Sequence, residues 1–180
     1  ETTRIKYGGN RESINKQLQM EKNWQFFYHE GRLHFVYWIQ PRHIVVDASN
    51  LDNLIEHNTQ TMHAWPFGRP SGGTPPIRIG DLYWSFFHSS QVFYHGHRRY
   101  YAGAYAFEAK PPFAVKYMSK APFLAGTKNH SQAFWHHLVV FPTGSEIVDD
   151  TWLVTLGVND CSCAWIRIPH DELLQTVGTA

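Results

Sequence analysis

His88 closes the aromatic run LYWSFFH (82–88), and Lys22 lies at the start of the run EKNWQFF (21–27). A histidine at a strand end can donate to an anion or move a proton. A lysine where a strand begins can hold phosphate as a point charge. Each has a plainer reading, His88 as a structural hydrogen-bonder and Lys22 as a solvated edge residue, and local chemistry leaves both open. Asp160, in Gly157-Val158-Asn159-Asp160, can accept from a sugar hydroxyl or cap a turn. The run Ser71-Gly72-Gly73-Thr74-Pro75-Pro76 either brings backbone close to a ligand or makes a tight turn. It is not a phosphate loop, because the Lys-Ser/Thr ending is missing and no helical pattern follows. His95-Gly96-His97 and His136-His137 invite a zinc reading, but no further ligands stand at a recognisable spacing. No metal site and no cofactor is therefore expected. Cys161 and Cys163 are too close along the chain for an unstrained bridge and read as thiols.

The composition narrows what these residues can serve. The chain has 180 residues, 43% hydrophobic and only 17% charged, with aromatics at 16%. A disordered chain would be poor in aromatics and rich in charge. Sixteen basic residues stand against fifteen acidic, a net charge of +1, so no field of one sign steers nucleic acid. No apolar run approaches the ~18 residues that cross a bilayer, and no signal peptide is visible. The compartment is open, with the cytoplasm favoured.

The elements that position these residues read as strands. NWQFFYH (23–29), a Glu30-Gly31 turn and LHFVYWI (33–39) predict a hairpin, with HIVVD (43–47) as a third strand. Residues 48–74 read as a long loop, with one helical turn over SNLDNLIEH (49–57). PPIRI (75–79), Gly80-Asp81 and LYWSFFH (82–88) repeat the hairpin, followed by strands RRYYAGAYAFEA (98–109) and FAVKYMS (113–119). HLVVF (137–141), WLVTLGV (152–158) and CSCAWIRI (161–168) repeat it again, and DELLQTV (171–177) is a short C-terminal helix. RIKY (4–7) is a further short strand. Three units thus begin near residues 22, 75 and 139, each a strand, a turn and an aromatic second strand. The expectation is one all-β domain over residues 1–180, a β-propeller of about three blades, with a β-sandwich as the competing architecture.

Several of these runs, in this order, resemble glycoside hydrolase family 130, the mannoside phosphorylases and related β-mannosidases. EKNWQFF (21–27) is similar to that family's Lys-Asn strand motif. GGTPPI (72–77) and LYWSFFH (82–88) are similar to its Gly-Pro-Pro strand and the strand ending in His. RRYYAGAYAFE (98–108), PPF (111–113) and SKAPFL (119–124) are similar to its Tyr-x-x-Gly strand and Pro-Leu sequel. VVFPTG (139–144) and LVTLGVND (153–160) are similar to its Phe-Pro-x-Gly and Gly-x-x-Asp pair. The resemblance covers about residues 21–174.

The resemblance implies a five-bladed β-propeller of which this chain carries the C-terminal three blades. It implies inverting cleavage or phosphorolysis of a β-mannoside-type linkage, with inorganic phosphate as co-substrate and an oligosaccharide or glycoside as partner. Lys22 and His88 would bind phosphate, Tyr101 and Asp160 would line the sugar, and Gly73, Thr74 and Phe141 would shape its wall. The family's catalytic Asp and phosphate-clamping Arg residues lie in N-terminal blades, and the 21 residues before Lys22 hold no matching segment, so the catalytic residue is unknown. Arg4 and Arg11 match no motif. Closing the ring is expected to need self-association or a missing N-terminal segment. Two alternatives stand beside this reading: a non-catalytic glycan-binding or assembly module, and sugar transfer from a sugar phosphate.

Overall fold

The polar residues buried in the apolar alternation of the first strands reveal how the sheets join. In the computed structural model, which describes residues 23–127 and 137–179, Trp-Gln-Phe-Phe-Tyr-His alternates strictly. Gln25, Phe27 and His29 turn inward while Phe26 and Tyr28 face out. This strand, β1 (Gln25–His29), leads an antiparallel meander with β2 (Arg32–Trp38), β3 (Arg42–Asp47) and β4 (Ile55–Gln60), in the order β1-β2-β3-β4. The Glu30-Gly31 turn has both residues at positive φ, the conformation a two-residue hairpin needs.

The second sheet is built on β7 (Leu82–Tyr94) and β8 (His97–Glu108), a long hairpin turned by His95 and Gly96. β5 (Ser71–Gly72) and β6 (Ile77–Ile79) pair with β7. On the other side, β9 (Val115–Ser119) and β10 (Leu124–Ala125) pair antiparallel with β8, and β11 (His137–Leu138) pairs parallel with it. The third sheet is β12 (Val140–Val148), β13 (Thr151–Val158) and β14 (Ser162–Pro169). A seven-residue helix, α1 (His170–Thr176), follows, and β15 (Val177–Thr179) then leaves the third sheet to pair with β9 of the second.

The architecture is all-β, with three sheets set around the starts of β1, β5 and β12. Each face of the β7–β8 hairpin is covered. Tyr83, Phe87, Tyr105 and Phe107 pack with Phe27, Val36, Val45 and Phe113 between the first and second sheets. Trp84, Phe86, Ala102, Ala104 and Ala106 pack with Val140, Trp152, Val154 and Leu156 between the second and third. The small alanines of β8 leave room for Trp152, which is fully buried.

Residues 48–74 depart from the expected loop. Ile55–Gln60 is a strand, hidden in the sequence because IEHNTQ is an exposed edge with one apolar residue. SNLDNLIEH forms turns and then enters β4 rather than a helical turn, and Ser71–Gly72 adds β5. Strand also extends past the expected limits at β7 and β12, and Val177, expected to end the helix, instead opens the unforeseen strand β15. RIKY, Arg4 and Arg11 lie outside the described residues.

Candidate functional site

Gly72 and Gly73 are where the three sheets meet. Neither has positive φ, so no turn conformation calls for glycine there. A Cβ on Gly72 would land on the Asn23 carbonyl and the Gln25 side chain of the first sheet. A Cβ on Gly73 would sit 2.7 Å from the Phe86 carbonyl oxygen and 2.9 Å from that of Pro142 in the third sheet. The glycines serve close approach, and the neighbour is protein backbone.

Beneath them lies a buried polar network. Gln25 Nε2 donates to the Thr74 carbonyl at 2.7 Å and to Ser85 Oγ, while its Oε1 accepts from the Tyr105 hydroxyl at 2.8 Å. Ser85 Oγ donates to the Thr74 carbonyl at 2.7 Å. Thr74 is fully buried; its N–H donates to the Phe86 carbonyl and its Oγ1 accepts from the Phe86 N–H, both at 3.0 Å. It acts as a strand partner built from a side chain. Burial pushes the Tyr105 hydroxyl well above the ordinary tyrosine range, with a smaller opposing effect from Ser85, so it stays a neutral donor. Sequence reasoning missed Gln25. Its signal was a lone amide at an inward position of an aromatic strand.

His88 pairs with Ser71 of β5 and Ala102 of β8, and is nearly buried. Its ring lies 4.1 Å from that of Phe141 and stacks on Tyr100 at 6.0 Å, 17° from parallel. Gly73, His88 and Phe141 are thus gathered at one place, where β5, β7 and β12 come together.

Tyr101 is placed elsewhere. It pairs with Ser89, not His88, and so projects from the opposite face of the β7–β8 hairpin. There its ring meets Phe67 at 5.3 Å, with the Arg99 guanidinium 5.8 Å away. Asp160 is exposed in the three-residue turn 159–161, where both it and Asn159 are at positive φ. Asn159, rather than Asp160, ties the turn down: its Oδ1 accepts from the Val139 N–H at 2.8 Å, and its own N–H donates to the Val139 carbonyl. Lys22 lies outside the described residues.

His95 and Gly96 form the turn of the long hairpin and His97 opens β8, while Cys161 and Cys163 are exposed thiols. His136 lies outside the described residues. Among the described residues, no three His, Cys, Asp or Glu side chains gather to hold a metal ion. No helix among them is long and apolar enough to cross a membrane.

One carboxylate is buried among the described residues, Asp47. Burial pushes its carboxyl up, but hydrogen bonding to Ser49 and the charges of His34 and Arg32 outweigh that and hold it below the usual range. The Ser49 N–H lies 2.9 Å from Oδ1 and Arg32 Nη1 3.2 Å from Oδ2. A proton donor to a leaving oxygen needs the opposite shift.

The same arrangement of sheets occurs in glycosidase-type propellers. The β-1,2-mannobiose phosphorylase of Listeria innocua, solved with β-1,2-mannobiose, superposes with a TM-score of 0.66 at 19% identity, over 88% of this chain and 47% of its own. A glycosyl hydrolase from Bacteroides ovatus gives 0.60 at 12% identity, over 84% and 49%. These likenesses show the fold: a β-propeller of the glycosidase type. The chain spans about half the length of these structures. No protein-family model and no curated protein matches it.

Proposed function

We propose that the protein is carbohydrate-active, with its sugar site at the convergence of β5, β7 and β12. The observation that carries this is the seating of His88 between Phe141 and Tyr100 at that convergence. An imidazole presents polar nitrogens and the rings beside it an apolar surface, the pairing that takes a sugar's hydroxyls and its C–H face. The fold shared with a mannobiose phosphorylase supports a β-mannoside-type ligand, and the resemblance of Lys22 and His88 to phosphate-binding positions supports phosphorolysis over hydrolysis.

Incubation with manno-oligosaccharides, with and without inorganic phosphate, tests this. Phosphate-dependent release of a sugar phosphate, lost in His88→Ala and Lys22→Ala, is the expected result. Calorimetry with the same oligosaccharides decides the broader claim: no binding and no turnover by the intact chain defeats it.

Asp47 favours a second reading. The carboxylate buried among the described residues is engaged as a structural anion and is held ionised. A glycan-binding module without chemistry fits that observation, and saturable binding without turnover would establish it.

A further inference from the structure

A concavity opens beside Trp65, on the face of the β7–β8 hairpin opposite His88. It measures about 350 Å³, and its lining includes Gln40, Pro41, Thr61, His63, Trp65 and Arg69. Its walls are set by hydrogen bonds. Trp65 Nε1 donates to Ser89 Oγ at 2.8 Å, and Ser89 Oγ donates to the Phe67 carbonyl at 2.7 Å. Gln40 Nε2 donates to the His63 carbonyl at 2.7 Å, which leaves Oε1 as the acceptor of that amide. Thr61 Oγ1 donates to the Ile39 carbonyl at 2.9 Å.

The charge of the cleft comes from Arg69. Its guanidinium carbon lies 4.6 Å from the Trp38 ring centre, and the Trp38 indole N–H donates to the Gln40 carbonyl, which fixes the ring beneath it. A guanidinium over an aromatic ring keeps its fork of N–H donors at the edge, suited to two oxygens of one anion. No acidic side chain lines the cleft, and among the described residues Arg69 makes no ion pair. His63 adds no charge at neutral pH, since burial, only partly opposed by the Val115 carbonyl, holds it below the ordinary histidine value.

We propose that this cleft binds an anionic sugar, a single pyranose whose carboxylate or phosphate is taken by Arg69 and whose ring lies against Pro41 and the rim of Trp65. The volume suits one sugar unit, and the lining offers one cationic fork beside a wall that is part polar and part apolar. The choice of a sugar rests on the carbohydrate reading above; the anion preference rests on Arg69 alone.

The test titrates the whole chain with D-glucuronate, D-glucose 6-phosphate and neutral D-glucose by calorimetry and ligand-observed NMR. One or both acids should bind at a single site and D-glucose at least tenfold more weakly, the responding acid identifying the anion. Arg69→Gln should weaken acid binding at least tenfold, Arg69→Lys should restore it only in part, and His88→Ala should leave it unchanged. Arg69 is exposed, and an unchanged thermal melt of Arg69→Gln confirms that the variant is folded. Absence of saturable binding by either acid overturns the inference, as does binding indifferent to Arg69→Gln or equal binding of glucose. Manno-oligosaccharide binding that depends on His88 would survive those outcomes, so the two readings fail separately.

Discussion

Tyr105 donates its hydroxyl to Gln25 Oε1 at 2.8 Å, joining strands 80 residues apart in two different sheets. The same amide reaches Thr74 and Ser85, so one side chain satisfies a buried junction.

Replacing Gln25 by Leu should therefore cost about 2–4 kcal/mol, because it strands a buried hydroxyl on Tyr105 and leaves Ser85 short of a partner. The double variant Gln25→Leu/Tyr105→Phe should recover part of that loss, since both ends then become apolar. Urea denaturation of the two single variants and the double measures the coupling.

Gly73→Ala should destabilise by roughly 3 kcal/mol or more, because the new methyl meets two backbone carbonyls in different sheets and neither can swing aside. Gly80→Ala is the contrast. Nothing lies within 4 Å of its Cβ position, so only its φ of +59° costs, at about 1–2 kcal/mol. Equal losses in the two variants would show that the meeting point is less tight than the distances state.

His43 makes the protein sensitive to mild acid. It is fully buried, Nδ1 donates to the Phe113 carbonyl at 2.7 Å, and desolvation lowers it from 6.5 to about 4. The unfolded chain binds a proton there below pH 6.5 while the folded one refuses it until about pH 4. Stability is thus complete above pH 6.5 and falls as the pH drops toward 4, by about 3 kcal/mol for this residue. His29, His57 and His63 are lowered by burial too and act in the same direction. Asp47, depressed below its usual 3.8, loses its contribution only at lower pH. Unfolding midpoints between pH 7.5 and 4.5 should show the slope, and His43→Gln should flatten it.

His88 and Tyr101 should differ in their effect on ligand binding. His88→Ala and Phe141→Ala should weaken manno-oligosaccharide binding together, since the rings touch. Tyr101→Ala should leave that binding within twofold, because its ring is on the far face beside Phe67. A loss on Tyr101→Ala equal to that of His88→Ala would mean that one ligand reaches around the hairpin end.

That separation shows what the sequence does and does not carry. The hairpins are plain in it: aromatic alternation and a Glu-Gly, Gly-Asp or Asp-Asp turn announce β1–β2, β6–β7 and β12–β13. β4, β5 and β15 are not, because a polar edge and two short strands gain their order from partners far along the chain. The faces of the long hairpin depend on one residue. Counted from its turn, where Tyr94 pairs with His97, Tyr101 would oppose Ser90 and share a face with His88. A bulge between Val92 and Tyr94 shifts the register by one, Ser89 takes that place, and Tyr101 turns over. The pair Gly72-Gly73 is legible as glycine's freedom, but a turn and a close approach look alike until the neighbouring sheets are in place.

The return of β15 to β9 has a mechanical meaning. The third sheet is reached from the second through β12 and comes back to it through α1 and β15, where Val177 faces Ser119 and Lys120 N–H meets the Thr176 carbonyl. Leu173 of the helix is buried in the same core as Trp84 and Trp152. The last strand is a clasp. Pulling the third sheet away would first have to unhook three residues at the far rim of its neighbour, so the two sheets should resist force, and yield to it, as one body.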